Sequence, residues 1–297
     1  MINLVIVGSI GLDDIKTPFG KISSTLGGSA VYSALSASFF EKPGVVGIVG
    51  RDMPQEELKA LKNIDLSGIS KGEKTFRWEG KYEYDMNEAK TLKTELNCLS
   101  NFNPSLPNSY KNAKYLLLAN IDPDSQIKAL NQLKNEPFVI LDSMNFWIKN
   151  KKEKLVSAIK KSDLVLLNDG EARQLFNTPN LIKAGRKLLE LGPQYAVIKK
   201  GEHGALLFSY DSFFSAPGYP LEELKDPTGA GDSFAGGLIG YLAKHNKTDE
   251  KTIRQGIIFG SAIASFCAEA LSTKALLKIK ISDIKERYEV FQKIREF

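Results

Sequence analysis

Short runs of branched apolar residues alternate with stretches of helical periodicity through most of this chain, and no other feature constrains its fold as strongly. The apolar runs lie at 4–7, 45–49, 115–118, 138–141, 164–167, 196–198 and 205–208. They are nearly continuous, which is typical of strands covered on both faces of a sheet. Helical periodicity occurs at 30–40, 55–61, 125–133, 155–160, 181–191, 233–245, 249–270 and 281–297. This order predicts an α/β fold with a mostly parallel, doubly wound sheet.

Residues 76–84 break this rhythm, because aromatic and charged side chains alternate there. The aromatic side chains are at positions 76, 78, 82 and 84. Strict alternation predicts a half-buried antiparallel strand, and together with the turn-rich segment 15–26 it predicts a small second sheet. A plain surface hairpin is the alternative. Because an aromatic face on such a hairpin would be left exposed, we expect it to cover a site or to form a dimer interface.

Acids, amides and glycines follow five of the predicted strands. The polar residues at these ends include Asp13, Asn120, Asp142, Asn168 and Lys200. Ligands of open α/β sheets bind beyond the carboxyl ends of the strands. Each residue alone could be an ordinary helix cap, but five such ends together favour a binding site along this edge.

Residues 226–232 read D-P-T-G-A-G-D and lead directly into a predicted helix at 233–245. That helix contains three glycines, each costing about 1 kcal/mol relative to alanine, so we expect close packing to hold it. A helix start opened by glycine amides is an anion site. Asp232 at this point is either a helix cap or a base beside a bound phosphate.

Composition excludes several classes of protein. Two separated cysteines, Cys98 and Cys267, and two histidines make a disulfide framework or a Cys/His zinc site improbable and fit a reducing cytoplasm. The net charge of +5, from 40 basic and 35 acidic residues, is too mild to favour nucleic-acid binding. We expect no signal peptide at residues 1–8, which read as a first strand, and no membrane span, because no apolar run reaches about 18 residues.

The motifs resemble those of one known family. The sequence contains neither a P-loop nor a dinucleotide fingerprint after the first strand. Residues 226–237, D-P-T-G-A-G-D-S-F-A-G-G, resemble the C-terminal signature of the ribokinase-like carbohydrate kinases, the phosphofructokinase-B family. Four more segments resemble family motifs in the family's order: Gly27-Gly28, G-I-V-G-R-D at 47–52, N-D-G-E at 168–171 and K-G-E-H-G at 200–204.

This resemblance covers nearly the whole chain. It implies a three-layer α/β/α ribokinase-like domain over 1–297 with a small antiparallel β lid formed by about 14–26 and 72–97. The implied activity is transfer of the γ-phosphate of ATP to a hydroxyl group of a small sugar, polyol or nucleoside. Asp232 would be the general base, ionised because the helix N-terminus keeps its pKa low. The backbone amides of Gly229, Ala230 and Gly231 would form an anion hole for the transferred phosphoryl group.

The resemblance also assigns the remaining site residues. On the substrate side it places Asp13, Gly27, Gly28 and Tyr32. On the nucleotide side it places Asn168, Lys200, Gly201, Gly204 and Thr228. Asn168 and Glu171 would help to hold Mg²⁺ with its waters. The implied cofactors are therefore ATP and Mg²⁺, with a monovalent cation such as K⁺ left open.

Three positions depart from the family pattern. Gly11 and Tyr32 stand where the family often has asparagine, and Gln55 stands where it commonly has glycine. All three lie on the substrate side, so they put the identity of the substrate in doubt. With the aromatic residues Trp78 and Tyr82 available, they hint at a nucleoside or an unusual polyol rather than ribose.

Competing functions and roles of the lid stay open at this point. A catalytically silent sensor of the same fold, binding nucleotide or sugar, is the alternative to a kinase, although Asp232 argues against it. A nucleic-acid-binding protein is a third reading, which the mild charge disfavours. We expect the lid to close over the substrate with Gly27-Gly28 as a hinge, or to join two copies as a homodimer.

Overall fold

The computed structural model describes residues 2–86 and 89–296 of the chain. The strands are β1 (Leu4–Val7), β2 (Gly11–Thr17), β3 (Gly20–Gly27), β4 (Pro43–Gly50), β5 (Asp65–Gly72), β6 (Phe76–Tyr82), β7 (Ala89–Glu95), β8 (Tyr115–Leu118), β9 (Phe138–Asp142), β10 (Leu164–Asn168), β11 (Tyr195–Lys199), β12 (Ala205–Phe208) and β13 (Phe213–Ala216). The helices are α1 (Ser29–Ala37), α2 (Gln55–Lys59), α3 (Pro123–Leu130), α4 (Asn145–Asn150), α5 (Lys152–Ile159), α6 (Asp169–Phe176), α7 (Leu181–Glu190), α8 (Ala230–His245), α9 (Glu250–Ala268) and α10 (Ile281–Ile294).

The main sheet is mostly parallel, as predicted. Its nine strands have the order β13-β12-β11-β10-β9-β8-β1-β4-β5. Every neighbouring pair from β11 to β5 in this order is parallel, whereas β12 pairs antiparallel with both β11 and β13. The run at 205–208 therefore does not continue the parallel part of the sheet. Only residues 200–204 separate β11 from β12, and a parallel crossover needs a dozen or more.

Side chains of the central strands alternate between two cores, which makes the domain three-layered. Leu4 and Ile6 of β1 point into the core shared with α1, α8 and α9. Val5 and Val7 point into the core shared with α3, α5 and α7. All four side chains are fully buried. This two-sided burial explains why the strands read as continuous apolar runs.

The small second sheet has the order β3-β2-β6-β7. Both outer pairs are antiparallel, and the middle pair, β2 with β6, is parallel. Phe76, Trp78 and Tyr82 share one face of β6, as the alternation predicted. The prediction was wrong for Tyr84, which lies beyond the strand and is 82% exposed.

The ends of several predicted elements shift in the structure. The helix predicted over 30–40 ends at Ala37, and the one predicted over 281–297 ends at Ile294; Phe297 lies outside the described residues. The lid segment predicted over 72–97 includes residues 87 and 88, which also lie outside them. No helix within residues 2–86 and 89–296 is long and apolar enough to cross a membrane. The cytoplasmic location stays a prediction.

Candidate active site

The loop before α8 is shaped by glycine, at a position where a side chain would not fit. We call residues 227–231 the anion loop. Gly229 has φ +76°, and a Cβ there would come within 2.3 Å of the Tyr32 ring. Two turns into α8, a Cβ on Gly236 would come within 2.1 Å of the backbone oxygen of Ser33. The glycines therefore let α8 and its N-terminal loop press against α1, which is the close packing expected from the sequence.

The amides predicted to form an anion hole are not all available in this structure. The Ala230 amide donates to the backbone oxygen of Pro227 at 3.1 Å, and the Ser233 amide donates to that of Gly229 at 2.8 Å. Both bonds close the first turn of α8. An incoming anion would have to share the Ala230 amide with this turn, whereas Gly231 lies beside a cation described below.

Asp232 lies in the first turn of α8 and is half-buried. Burial raises the pKa of Asp232 to about 7, and the charge of Asp142 adds to the rise while Lys199 opposes it. The expectation that the helix N-terminus would keep this pKa low was therefore wrong. Desolvation of the carboxylate exceeds the effect of the helix dipole.

Three more ionisable groups stand at the ends of neighbouring strands. Asp142 ends β9, Lys199 ends β11, and Glu171 lies in the first turn of α6 after β10. Lys199 Nζ donates to both carboxylate oxygens of Asp142, at 3.1 and 2.8 Å. With Asp232, these side chains form one charged cluster, in which each acts on the pKa of at least one other.

Asn168 and Glu171 form a reciprocal helix cap. The Asn168 side chain accepts from the Glu171 amide at 2.7 Å, and Glu171 Oε2 accepts from the Asn168 amide at 2.7 Å. Glu171 Oε1 also accepts from Asn168 Nδ2 at 2.9 Å. Burial raises the pKa of Glu171 to about 8, with Lys199 opposing and Asp142 and Asp232 adding to the rise. The side-chain atoms of Asn168 and Glu171 that cap α6 are thus the same atoms that were predicted to hold Mg²⁺.

Asp13 lies on β2 against the diglycine. A Cβ on Gly27 would come within 1.9 Å of Asp13 Oδ2, and Gly28, at φ +99°, comes so close to Ser9 that a Cβ would meet its backbone oxygen at 2.5 Å. Burial raises the pKa of Asp13 to about 8, and the charges of Asp226 and Asp232 add to the rise. The predicted base, Asp232, is thus among the charges that act on the predicted substrate acceptor, Asp13.

The small sheet turns one face toward the anion loop. Thr228 Oγ1 donates to the Tyr82 hydroxyl at 3.2 Å, and both residues are buried. Trp78 lies directly opposite Asp13 in the β2–β6 register, and Phe76 lies opposite Gly11. A Cβ on Gly11 would come within 2.5 Å of the Phe76 ring, so that ring fills the space beside this position. The face that carries Asp13 therefore also carries aromatic rings.

Other predicted residues lie at the border of this site. Lys200 follows β11 and precedes a short 3₁₀ helix, Gly201–His203. Gly204, at φ +80°, packs so closely on the end of β13 that a Cβ would meet the backbone oxygen of Ala216 at 2.1 Å. Tyr32 is 1% exposed and its ring packs against Gly229. In this structure its side chain is therefore not open to a substrate, which it was predicted to contact.

Lys199 and Asp142 are the site residues that the sequence analysis did not assign. Asp142 was recognised as a strand end but given no role, and the motif comparison favoured the neighbouring Lys200. The strand alternation held the missing signal. Val197 points into the core shared with α8 and Ile198 into the opposite one, so Lys199 returns to the side of α8.

The donor set fits a divalent cation held mainly by a polyanionic ligand. Within the described residues, no group of three or more His, Cys, Asp or Glu side chains could hold a metal ion. Both oxygens of Glu171 already accept hydrogen bonds from Asn168. Mg²⁺ characteristically keeps several waters and takes one or two carboxylates plus substrate phosphates. The residues present fit that mode rather than an all-protein cage.

Comparison with known proteins gives four consistent matches. The model of the family described as pfkB family carbohydrate kinase matches residues 13–280. A cytidine kinase of Thermococcus kodakarensis is 31% identical, covering 86% of this chain and 94% of its own length. The nucleoside kinase of Methanocaldococcus jannaschii has a TM-score of 0.76 at 20% identity, covering 97% of this chain and 99% of that chain. A ribokinase II from E. coli, described as putative and solved with ATP and Mg²⁺, has a TM-score of 0.80 at 18% identity, covering 98% of this chain and all of that chain (100%).

Proposed function

The chain belongs to the pfkB family of carbohydrate kinases and is a phosphotransferase with an alcohol group as acceptor, and we propose that it transfers the γ-phosphate of ATP to a hydroxyl group of a nucleoside. The kinase part of this statement follows from the family. The nucleoside and the roles of individual residues are the proposal.

The observation that carries the choice of nucleoside is the aromatic face around Asp13. Phe76 and Trp78 flank Asp13 on the face of the small sheet that meets the anion loop. Trp78 Nε1 donates to Thr91 Oγ1 at 3.2 Å, and the ring lies over Gly80, where a Cβ would come within 2.1 Å of it. A fixed aromatic ring offers a planar base a stacking surface that a simple sugar cannot use fully. The cytidine kinase relative supports the same choice.

Asp232 would take the proton of the acceptor hydroxyl. A base with a pKa near the working pH is efficient in proton transfer, and the raised pKa of Asp232 fits that requirement. Asp13 would hold a second hydroxyl of the acceptor against the diglycine. The amides of Gly229 and Gly231, with Ala230 after it releases Pro227, would stabilise charge on the phosphoryl group.

Asn168 and Glu171 would hold Mg²⁺ with its waters beside the phosphates of ATP. The ion would neutralise phosphate charge and lower the pKa of Glu171 from its raised value, because a cation favours the carboxylate form. Thr228, Lys200, Gly201 and Gly204 would border the nucleotide. A requirement for K⁺ stays a prediction.

The small sheet would act as a lid, formed by about 14–26 and 72–97. Its aromatic face is turned toward the anion loop, which supports the covering role over a homodimer through that face. Closure would exclude water, so that ATP is not simply hydrolysed. The three named relatives are kinases, so the catalytically silent alternative gains no support from them.

A panel assay tests the choice of acceptor. ADP release is measured with MgATP and single acceptors: pyrimidine and purine nucleosides, ribose, fructose and small polyols. We expect the highest kcat/KM with a nucleoside and a lower value with free ribose, which lacks the base. Turnover that is fastest with a sugar or polyol would contradict the proposal. Trp78→Ala should raise the KM for the nucleoside more than the KM for ATP, with Tyr84→Ala as an exposed aromatic control.

A further inference from the structure

Lys199 places a cation inside the cluster of carboxylates at the strand ends. Its side chain is 15% exposed and that of its partner Asp142 is 4% exposed. The two hydrogen bonds to Asp142, at 3.1 and 2.8 Å, hold the ammonium group in one position. Although burial alone would lower the pKa of Lys199, the charges of Asp142, Glu171 and Asp232 raise it above its ordinary value, so the side chain is charged.

The same ammonium group lies against the anion loop. A Cβ on Gly231 would be 3.3 Å from Lys199 Nζ and 3.9 Å from its Cε. Gly231 directly precedes Asp232, so the cation lies next to both the loop that would receive the phosphoryl group and the proposed base. Pairing with Asp142 does not by itself require this position beside Gly231.

The charges around Lys199 indicate a role for it beyond the ion pair with Asp142. The charges of three acids, Asp142, Glu171 and Asp232, act on one ammonium group, which lies beside Gly231 of the anion loop. An anion approaching carboxylates is repelled unless a cation faces it. Lys199 is so placed, and an ammonium group has three N–H donors. It can donate to a phosphoryl oxygen and still keep a bond to Asp142.

We propose that Lys199 is a catalytic residue that binds the transferred phosphoryl group, and that Asp142 is the positioning residue that aims it. This inference rests on the proposed kinase function. In the reaction, the acceptor O–H bond breaks and its proton passes to Asp232 while the new O–P bond forms. The bond from the γ-phosphorus to the bridging oxygen breaks, and its electron pair leaves on ADP. Lys199 stays protonated throughout.

The inference predicts a difference between nucleotides, because ATP carries the phosphoryl group and ADP does not. Lys199→Met should weaken binding of a non-hydrolysable ATP analogue by about tenfold or more, the effect of one lost charge-assisted hydrogen bond. It should leave ADP binding unchanged. The kcat should fall by about 10²- to 10³-fold, as for loss of one donor to transition-state charge.

The experiment compares Lys199→Met, Lys199→Arg and Asp142→Asn with the wild type. Affinities for ADP and the ATP analogue are measured by calorimetry, kcat by ADP release, and folding by Tm. Lys244→Met is the matched control, since Lys244 is exposed at the opposite end of α8 from Asp232. Lys199→Arg should recover part of the preference for the ATP analogue, and Asp142→Asn should lower kcat less than Lys199→Met does.

Two results would overturn the inference. One is a Lys199→Met protein with the wild-type kcat and wild-type affinities. The other is an equal loss of affinity for both nucleotides, which would mean a purely structural ion pair. If Lys199→Met does not fold, Lys199→Met/Asp142→Asn leaves no unpaired buried charge and is judged by the same two measurements. Should the wild type phosphorylate no nucleoside, the nucleoside proposal fails, while the comparison of the two nucleotides still decides the role of Lys199.

Discussion

At the scale of single residues, the site contains three acids whose ionised form is disfavoured by burial. Burial raises the pKa of Asp13 and of Glu171 to about 8 and that of Asp232 to about 7. Ordinary surface aspartates titrate near 4. Such groups are candidates for proton transfer and for binding cations, and they also make the folded state less stable as they ionise.

Asp232→Asn should therefore stabilise the protein at high pH. The folded-state pKa of Asp232 lies above its ordinary value of 3.8, so the folded chain binds a proton that the unfolded chain has lost. This contribution to stability is complete below about pH 4 and is lost as the pH rises through about 7. We expect the variant to exceed the wild type in Tm at pH 8 and to exceed it by less at pH 5.

The measurement is thermal unfolding at both pH values. Asp211→Asn, in an exposed loop, serves as a control and should show no such pH-dependent difference. A Tm difference between Asp232→Asn and wild type that is the same at pH 5 and pH 8 would refute the raised pKa.

At the scale of elements, α8 forms despite its glycines because they allow close packing against α1 and α9. Gly236, Gly237 and Gly240 lie within it, and each faces a neighbouring backbone at a distance that a Cβ would not allow. The added Cβ would meet Ser33 O at 2.1 Å, Gly260 Cα at 2.9 Å and Ala37 Cα at 2.8 Å, respectively. A helix of poor formers thus approaches α1 and α9 closely enough to fix the anion loop.

Gly236→Ala should destabilise the protein, although alanine is the better helix former. The gain in propensity is about 1 kcal/mol. Forcing apart the α1–α8 contact costs about 1–3 kcal/mol by the usual range for overpacking, and here the clash is with backbone. Urea unfolding measures the difference. Lys244→Ala on the exposed end of α8 is the control and should stay close to wild type; a Gly236→Ala protein more stable than wild type would contradict the contact.

Tyr82→Phe tests the connection between the small sheet and the anion loop. The change removes the partner of the Thr228 hydroxyl but keeps the ring in its cluster with Ile15 and Met86. We expect loss of one neutral hydrogen bond, about 1 kcal/mol, and faster hydrogen exchange in β6. Tyr84→Phe is the matched control on an exposed side chain. Unchanged exchange in β6 of the Tyr82→Phe protein would show that this bond does not fasten the sheet.

The sequence predicted the parallel centre of the fold well and its edges poorly. β1 and β8 begin and end where the apolar runs do, because burial on both faces imposes a continuous pattern. β5 and β7 stand at sheet edges, where β5 is mostly half-buried or exposed and β7 mostly exposed, and no apolar run marks them. Their positions follow from tertiary pairing, which local periodicity does not encode.

The site was predictable where a motif fixes the backbone and not where charges meet across strands. Gly229 and Asp232 are set by one local loop. The pairing of Asp142 with Lys199 joins residues 57 positions apart, and the choice between Lys199 and Lys200 depends on the direction of a strand end. The pKa of Asp232 was mispredicted for the same reason, since desolvation depends on the whole surroundings of the carboxylate.

At the scale of the whole molecule, the parts serve one arrangement. The parallel sheet brings Asp142, Glu171 and Lys199 to one edge, and α8 begins with Asp232 beside them. The small sheet carries Asp13 and the aromatic rings and contacts the anion loop through Tyr82. A chain built in this way should move a phosphoryl group from ATP to a nucleoside with Asp232 as the base.

The most direct test follows ATP, ADP and the phosphorylated nucleoside together by ³¹P NMR, for the wild type and for Asp232→Asn. We predict that the wild type forms ADP and phosphorylated nucleoside in equal amounts. Asp232→Asn should lose at least about 10²-fold in kcat, the usual contribution of a general base, while binding ADP as the wild type does. An Asp232→Asn protein that turns over within a few-fold of the wild type, or ADP formed without a phosphorylated nucleoside, would contradict this mechanism.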